Sequence, residues 1–282
     1  MSKINAKLDH VVLLLPYKDI VDPPAWITDN FTVSPGGRHA DNKTENKLVL
    51  FQDGTYLELI AFIDDDPEKR KGHWWDKPYG VVDFALTTSN EAFGELAGIK
   101  HRLSKTDTGI SYTSPKAGGR KRPDGVELQW RVTFPTGTDR GSVPFFCHDV
   151  TPRDRRVPLS DTATSHPSGA VGMGGVSLDA AEQSLASRLS SATAAIVGSE
   201  LNKDGIYEVD VVHPVSKTVR KPSIRIKTAA SQSSSSSKKH LALSLVLQTP
   251  KDLPDMHHTI DGGDICVVFE KITSDPRCTK QM

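Results

Sequence analysis

KLVLFQDGTYLELIAF, residues 47–62, consists of two apolar runs on either side of Asp53–Gly54. Leu48, Val49 and Leu50 on one side, and Leu57, Leu59 and Ile60 on the other, have the composition of buried strands. An Asp-Gly pair between two such runs predicts a hairpin with a type I′ turn, whose central residues both need positive φ. Alternation then sorts the second run into two faces. Tyr56, Glu58 and Ile60 share one face, and Leu57, Leu59 and Ala61 the other. Glu58 is thus a carboxylate inside an apolar strand. Buried and unpaired, it would be strongly destabilising or would take up a proton.

Outward from this hairpin, LDHVVLLL (8–15) reads as a buried strand that ends at Pro16. DIVDPPAWITDNF (19–31) makes a short helix at most, with Pro23 and Pro24 near its start. SPGGRHADNKTEN (34–46) reads as a loop punctuated by Gly36–Gly37, with room for a strand around Phe31–Ser34. The order then recurs. A strand is expected at 79–88 and a helix at 91–104, with Phe93, Leu96, Ile99 and Leu103 at helical spacing and Ser89 or Asn90 as its cap. Strand-like ISYTS, VELQWRVTF (126–134) and VPFFCHDV (143–150) follow. One strand, one helix and three strands thus appear twice, about 70 residues apart, which predicts two copies of a small α+β module sharing a sheet. A third, divergent module starts at HPSGAVGMGGVSL (166–178), continues as a helix over 179–195, and carries a serine-rich loop at 231–239. Linker composition at 155–169 places the boundary between units 1–158 and 159–282.

Lys plus Arg and Asp plus Glu total 35 each in 282 residues, so the net charge is zero. A neutral surface disfavours a bulk electrostatic hold on nucleic acid or an anionic membrane. Apolar runs are far shorter than the roughly 20 residues that span a bilayer. The run Val11–Leu15 is too short for a signal-peptide core. Cys147, Cys266 and Cys278 form no CxxC pair and no disulfide framework, so a reduced, cytoplasmic chain is expected. A small molecule is the expected partner, to a monomer or homodimer.

Imidazole and carboxylate together suit Zn, Ni, Mn or Fe. His10 and Glu58, on strands of one module, are candidate ligands for such a divalent metal, and Asp83 and His148 are their counterparts in the second. The plainer alternative keeps His10 and Asp83 as hydrogen-bonded structural residues and lets His148 begin a loop. Glu58 and His39 are candidate acid–base groups. Arg38, His39 and Asn46, next to two glycines, suit a carboxylate or carbonyl oxygen, or form an ordinary exposed turn. On VELQWRVTF, Trp130 and Arg131 are candidate substrate contacts, although Arg131 fits an edge-strand role equally. The cluster GGRKRPDG (118–125), with Arg120, Lys121 and Arg122, is either a phosphate contact or, more commonly for charges in a Gly/Pro loop, a solvated turn. His73–Trp74–Trp75 either walls a pocket or anchors a connector. No GxSxG elbow, Walker loop or GxGxxG after a strand occurs, which disfavours a hydrolase triad, a kinase and a dinucleotide enzyme.

The stretch LDHVVLLLPYKD…FTVSPGGRHADNKTENKLVLFQDGTYLELIAFI resembles the opening module of glyoxalase-like domains in the vicinal oxygen chelate superfamily. GGRH…N…F-DGTYLEL is the specific part. RPDGVELQWRVTFP and VPFFCHDVTPRDRR resemble the later segments of the second module, and HPSGAVGMGGVSL the start of an additional one. The resemblance implies paired βαβββ modules whose curved mixed sheets enclose a cavity, with metal ligands at His10 and Glu58. Near Asp83 and His148 the chain departs from the usual His-then-Glu pattern. The implied function is a metal-dependent lyase, isomerase or dioxygenase on a small oxygenated metabolite. The alternatives are a metal-free protein that binds or sequesters a small molecule, and a metal-independent lyase or isomerase using His39 or Glu58 as acid and base.

Overall fold

The computed structural model of the chain describes residues 5–88, 92–199, 206–215, 219–229 and 240–272. The cap expected at Ser89 or Asn90, the Phe93 side chain, the serine-rich segment 231–239 and Cys278 lie outside the described residues.

The first module runs β1 (Lys7–Leu14), helices α1 (Tyr17–Val21) and α2 (Ala25–Thr28), β2 (Ser34–His39), β3 (Thr44–Leu50) and β4 (Tyr56–Phe62). A short helix, α3 (Pro67–Arg70), leads to the second module. This comprises β5 (Gly80–Thr87), α4 (Ala92–Leu103), β6 (Ser111–Tyr112), β7 (Lys116–Lys121), β8 (Glu127–Thr133), β9 (Pro135–Thr136) and β10 (Phe145–Asp149). Each module has the same pairing, β1-β4-β3-β2 and β5-β10-β8-β7, and the two join into a closed eight-stranded barrel. β1 meets β5 antiparallel at one seam, and β2 meets β7 antiparallel at the other.

Alternation assigns the faces. Leu8, Val11 and Leu13 of β1 and Leu57, Leu59 and Ala61 of β4 pack outward into the main core beneath the helices. Val12, Leu14, Ile60, Phe62, Ala85 and Phe145 pack inside the barrel. Two segments expected as loops are strands. SPGGRH is β2 and the basic cluster contributes to β7. They form the closing seam, and their inward faces carry polar side chains, so neither shows an apolar alternation.

The Asp53–Gly54 turn also differs from expectation. Only Gly54 has positive φ, at 78°. Phe51 N–H bonds to the Thr55 carbonyl, so the loop is wider than a two-residue turn. Asp53 is otherwise engaged. Its carboxylate accepts the N–H and hydroxyl of Thr55 and the N–H of Met173.

Met173 lies in the first strand of the C-terminal sheet. After α5 (Arg153–Arg156) come β11 (Gly172–Ala180), α6 (Gln183–Val197), β12 (Ile206–Glu208), β13 (Ser223–Thr228), β14 (Leu241–Thr249), β15 (Met256–Ile260) and β16 (Gly263–Lys271). Their order is β12-β13-β11-β14-β16-β15. β11 lies parallel to β13 and antiparallel to β14, which lies parallel to β16. This repeats the barrel's β4-β1-β5-β10 arrangement, flanked by one antiparallel strand on each side. Among the described residues it has no counterparts of β2 and β7, so it stays open. Its core is continuous with that outside the barrel. Helices α4 and α6 pack together, and Arg102 of α4 donates to the carbonyls of Ala195 and Ile196 at the α6 C-terminus, which satisfies groups the helix leaves bare. No helix among the described residues is long and apolar enough to cross a membrane.

Candidate active site

The barrel holds a cavity of about 160 Å³, lined by residues of both modules. Its polar wall centres on Glu58. The inward parity of β1 and β4 places His10 Nε2 3.6 Å from Glu58 Oε2, with both side chains buried. His39, at the end of β2, brings its Nε2 within 3.5 Å of Glu58 Oε1. One carboxylate thus has an imidazole against each oxygen. Asn46 Nδ2 donates to Oε1 at 2.5 Å. The Asn46 amide is itself oriented, because its Oδ1 accepts Arg120 Nη1 at 2.8 Å and Gly37 N–H at 3.1 Å. A Cβ at Gly36 would stand 2.2 Å from Asn46 Oδ1, so glycine there makes room for the amide. The Gly37 N–H is thus used to orient Asn46.

Burial alone would raise the Glu58 carboxyl. The hydrogen bond from His39, the positive charge that His10 and His39 carry when protonated, and the Asn46 amide outweigh it and hold the group at about 2. Glu58 is therefore an anion at neutral pH.

His10 is fixed from behind. β1 shifts register between Leu8 and His10, and at this irregularity Asp9 Oδ1 lies 2.6 Å from His10 Nδ1. Burial would raise Asp9, but Arg153 and Arg156, followed by His10, hold it well below the usual carboxylate range. An ionised Asp9 can only accept, so Nδ1 carries the proton and Nε2 faces the cavity. The ring also stacks on Tyr56 at 4.6 Å. Arg156 completes this wall by donating to Asp9, Asp149 and the Tyr56 hydroxyl. The opposite wall is aromatic, made of Trp74, Trp75, Trp130 and Phe134. The His73–Trp74–Trp75 stretch thus contributes wall and anchor at once.

Several expected residues lie elsewhere. Asp83 is fully buried, but Arg140 and the Trp75 indole occupy its carboxylate. On β10 the parity turns Cys147 into the cavity, while His148 lies on the other face, 2.9 Å from Thr88 Oγ1. Arg38 points outward to Glu45, and Arg131 shares with His148 a separate depression outside the barrel. His10, Glu58, His39, Asn46 and Trp130 are brought together. Asp83, His148, Arg38 and Arg131 are not.

Among the described residues no three His, Cys, Asp or Glu side chains converge as a metal-ligand set. The two imidazoles address different oxygens of one carboxylate. Across the seam from His10 stands Ala85, and the inward residue of β10 is Cys147, whose thiol burial pushes up. The residues present do not fit the two-His, two-carboxylate site expected for a divalent metal.

Sequence reasoning missed the roles of Asp9, Tyr56, Arg120 and Arg156. The available signals were a carboxylate directly before His10 and the alternation that puts Tyr56 on the Glu58 face.

A family model for a glyoxalase-like domain matches residues 8–193. No curated protein matches the sequence. Among solved structures, a hypothetical protein from Staphylococcus aureus superposes with a TM-score of 0.63 at 14% identity, covering 94% of this chain and 100% of that one. This likeness is one of fold. A methylmalonyl-CoA epimerase from Mycobacterium tuberculosis aligns over 55% of this chain and 96% of its own, at 15% identity and a TM-score of 0.36.

Proposed function

The chain belongs to the glyoxalase-like domain family, and we propose that it is a proton-transfer enzyme, a lyase or isomerase acting on a small oxygenated metabolite inside the barrel. The observation that carries this reading is the buried Glu58 carboxylate with an imidazole against each oxygen. His10 Nε2 takes a proton from a carbon next to a carbonyl or hydroxyl group. Asp9 holds the ring in the required tautomer, and Glu58 stabilises the imidazolium that forms. His39, on the other oxygen, delivers a proton to the opposite side of the intermediate or to its leaving group. Positioned acid–base groups of this kind contribute roughly 10²- to 10⁴-fold. The aromatic wall keeps water away, which strengthens each charge–charge contact.

The test is hydrogen–deuterium exchange in D2O, read by proton NMR over a panel of small oxo and hydroxy compounds. Wild-type protein is expected to exchange a C–H beside the oxygenated carbon of at least one compound, while Glu58→Gln and His10→Asn do not. Exchange that persists in both variants would sink the reading. Exchange is also expected to survive a strong chelator. Loss that added Zn, Ni, Mn or Fe(II) restores favours instead the metal-dependent lyase, isomerase or dioxygenase anticipated from the sequence. The aromatic wall supports a second reading, a metal-free binding protein. Tight binding without any exchange would favour it.

A further inference from the structure

Arg120 is a buried cation that makes no ion pair among the described residues. It lies on β7, paired across the closing seam with His39 of β2. It is 5% exposed and lines the cavity. Two contacts fix its head. Nη1 donates to Asn46 Oδ1, and Nη2 reaches the Arg156 carbonyl at 3.5 Å. A guanidinium has five N–H donors, so three are left without a protein acceptor among the described residues. The neighbouring arginines are matched differently. Arg140 has Asp83, and Arg153 and Arg156 have Asp9 and Asp149. Arg120 makes no direct ion pair among the described residues; the Asn46 amide stands between it and Glu58, whose charge reaches it from a distance. A charge removed from water and left unpaired is strongly destabilising, and burial depresses its pKa. A cavity that keeps such a group is suited to an anion that arrives with the ligand.

We propose that Arg120 anchors a carboxylate of the substrate, so that the substrate is a small 2-oxo or 2-hydroxy acid. The inference rests on the proton-transfer reading above and gives it a substrate class. The planar guanidinium matches a carboxylate through two parallel hydrogen bonds, a geometry that a sulfonamide, ester or neutral ketone cannot reproduce. Arg156, the other cavity arginine, is saturated by Asp9, Asp149 and Tyr56 and does not compete. One carboxamide separates the Arg120 guanidinium from the Glu58 carboxylate. An acid held by Arg120 therefore presents its neighbouring carbons to the imidazole–carboxylate cluster. The aromatic wall covers the remaining face, and the size of the cavity limits the acid to a few heavy atoms.

The experiment compares acids with their uncharged amides: pyruvate with pyruvamide, 2-oxobutanoate with its amide, and lactate with lactamide. Binding is measured by ligand-observed NMR titration and exchange in D2O on the same samples. Wild-type protein is expected to prefer at least one acid over its amide by about 100-fold, the value of a charge-assisted contact. Arg120→Gln, which can still donate to Asn46, loses that preference and binds acid and amide alike. Arg120→Lys keeps part of it, and serves if the glutamine variant folds poorly. Equal binding of acids and amides by the wild type, no binding of any acid, or a preference that survives in Arg120→Gln overturns the inference. The two proposals fail separately. Exchange of neutral compounds without a preference for acids removes the anchor and keeps proton transfer. Selective binding of acids without exchange removes proton transfer and keeps the anchor.

Discussion

Asp53, at the tip of the β3–β4 hairpin, accepts the backbone N–H of Met173 at 2.9 Å, so a turn of the barrel is pegged to the first strand of the C-terminal sheet. The carboxylate is fully buried. Burial lifts it from 3.8 to about 6 against the hydrogen bonds of Thr55 and Met173 and the charge of Arg153. A carboxyl with a raised folded pKa destabilises the fold above that value, and the penalty is relieved as the pH falls from 6 towards 3.8. Asp53→Asn is expected to abolish this gain, at most about 3 kcal/mol. Urea denaturation of both proteins at pH 7 and pH 4.5 measures it. A difference between them that does not change with pH contradicts the assignment.

Glu58 shifts the other way. Its folded value of about 2 lies below the ordinary 4.5, so its contribution is present above 4.5 and is lost as the pH falls towards 2. Glu58→Gln is expected to be less stable than the wild type at pH 7 by up to roughly 3 kcal/mol, with the gap shrinking at pH 3. Chemical denaturation at the two pH values decides it.

Arg156 is buried and shared by Asp9, Asp149 and Tyr56. Arg156→Met leaves Asp9 and Asp149 with Arg153 as their one remaining cation and is expected to cost up to about 3 kcal/mol. Adding Asp9→Asn should recover part of that loss. Strictly additive effects in the double-variant cycle would show that the groups are not coupled.

Strand parity separates two histidines. His10→Asn is expected to lower deuterium exchange at least about 100-fold. His148→Ala, on the far face of β10, should leave the rate within about twofold, as expected for a group outside the site. A large loss in His148→Ala would place the chemistry outside the barrel.

β1, β4 and β5 are legible in the sequence because both of their faces are buried, which makes them continuous apolar runs. β2 and β7 are not. One face meets water and the other carries His39 or Arg120, so a strand reads there as a polar loop. The meeting of His10 with Glu58 followed from parity within one module. The assignment of Asp83 and His148 needed facts that parity alone does not give. Arg140 lies 57 residues beyond Asp83, and one step of register on β10 decides between Cys147 and His148. Arg120 was hidden in a basic cluster of a kind that is usually solvated.

The His39–Arg120 rung of the β2–β7 seam also bears on kinetics. A barrel sewn shut at both edges cannot part like hinged lobes. Molecules must come and go past side chains at the rim, such as Trp74, which is 41% exposed. Rotamer changes of such exposed side chains take picoseconds to nanoseconds, far faster than the rocking of rigid halves.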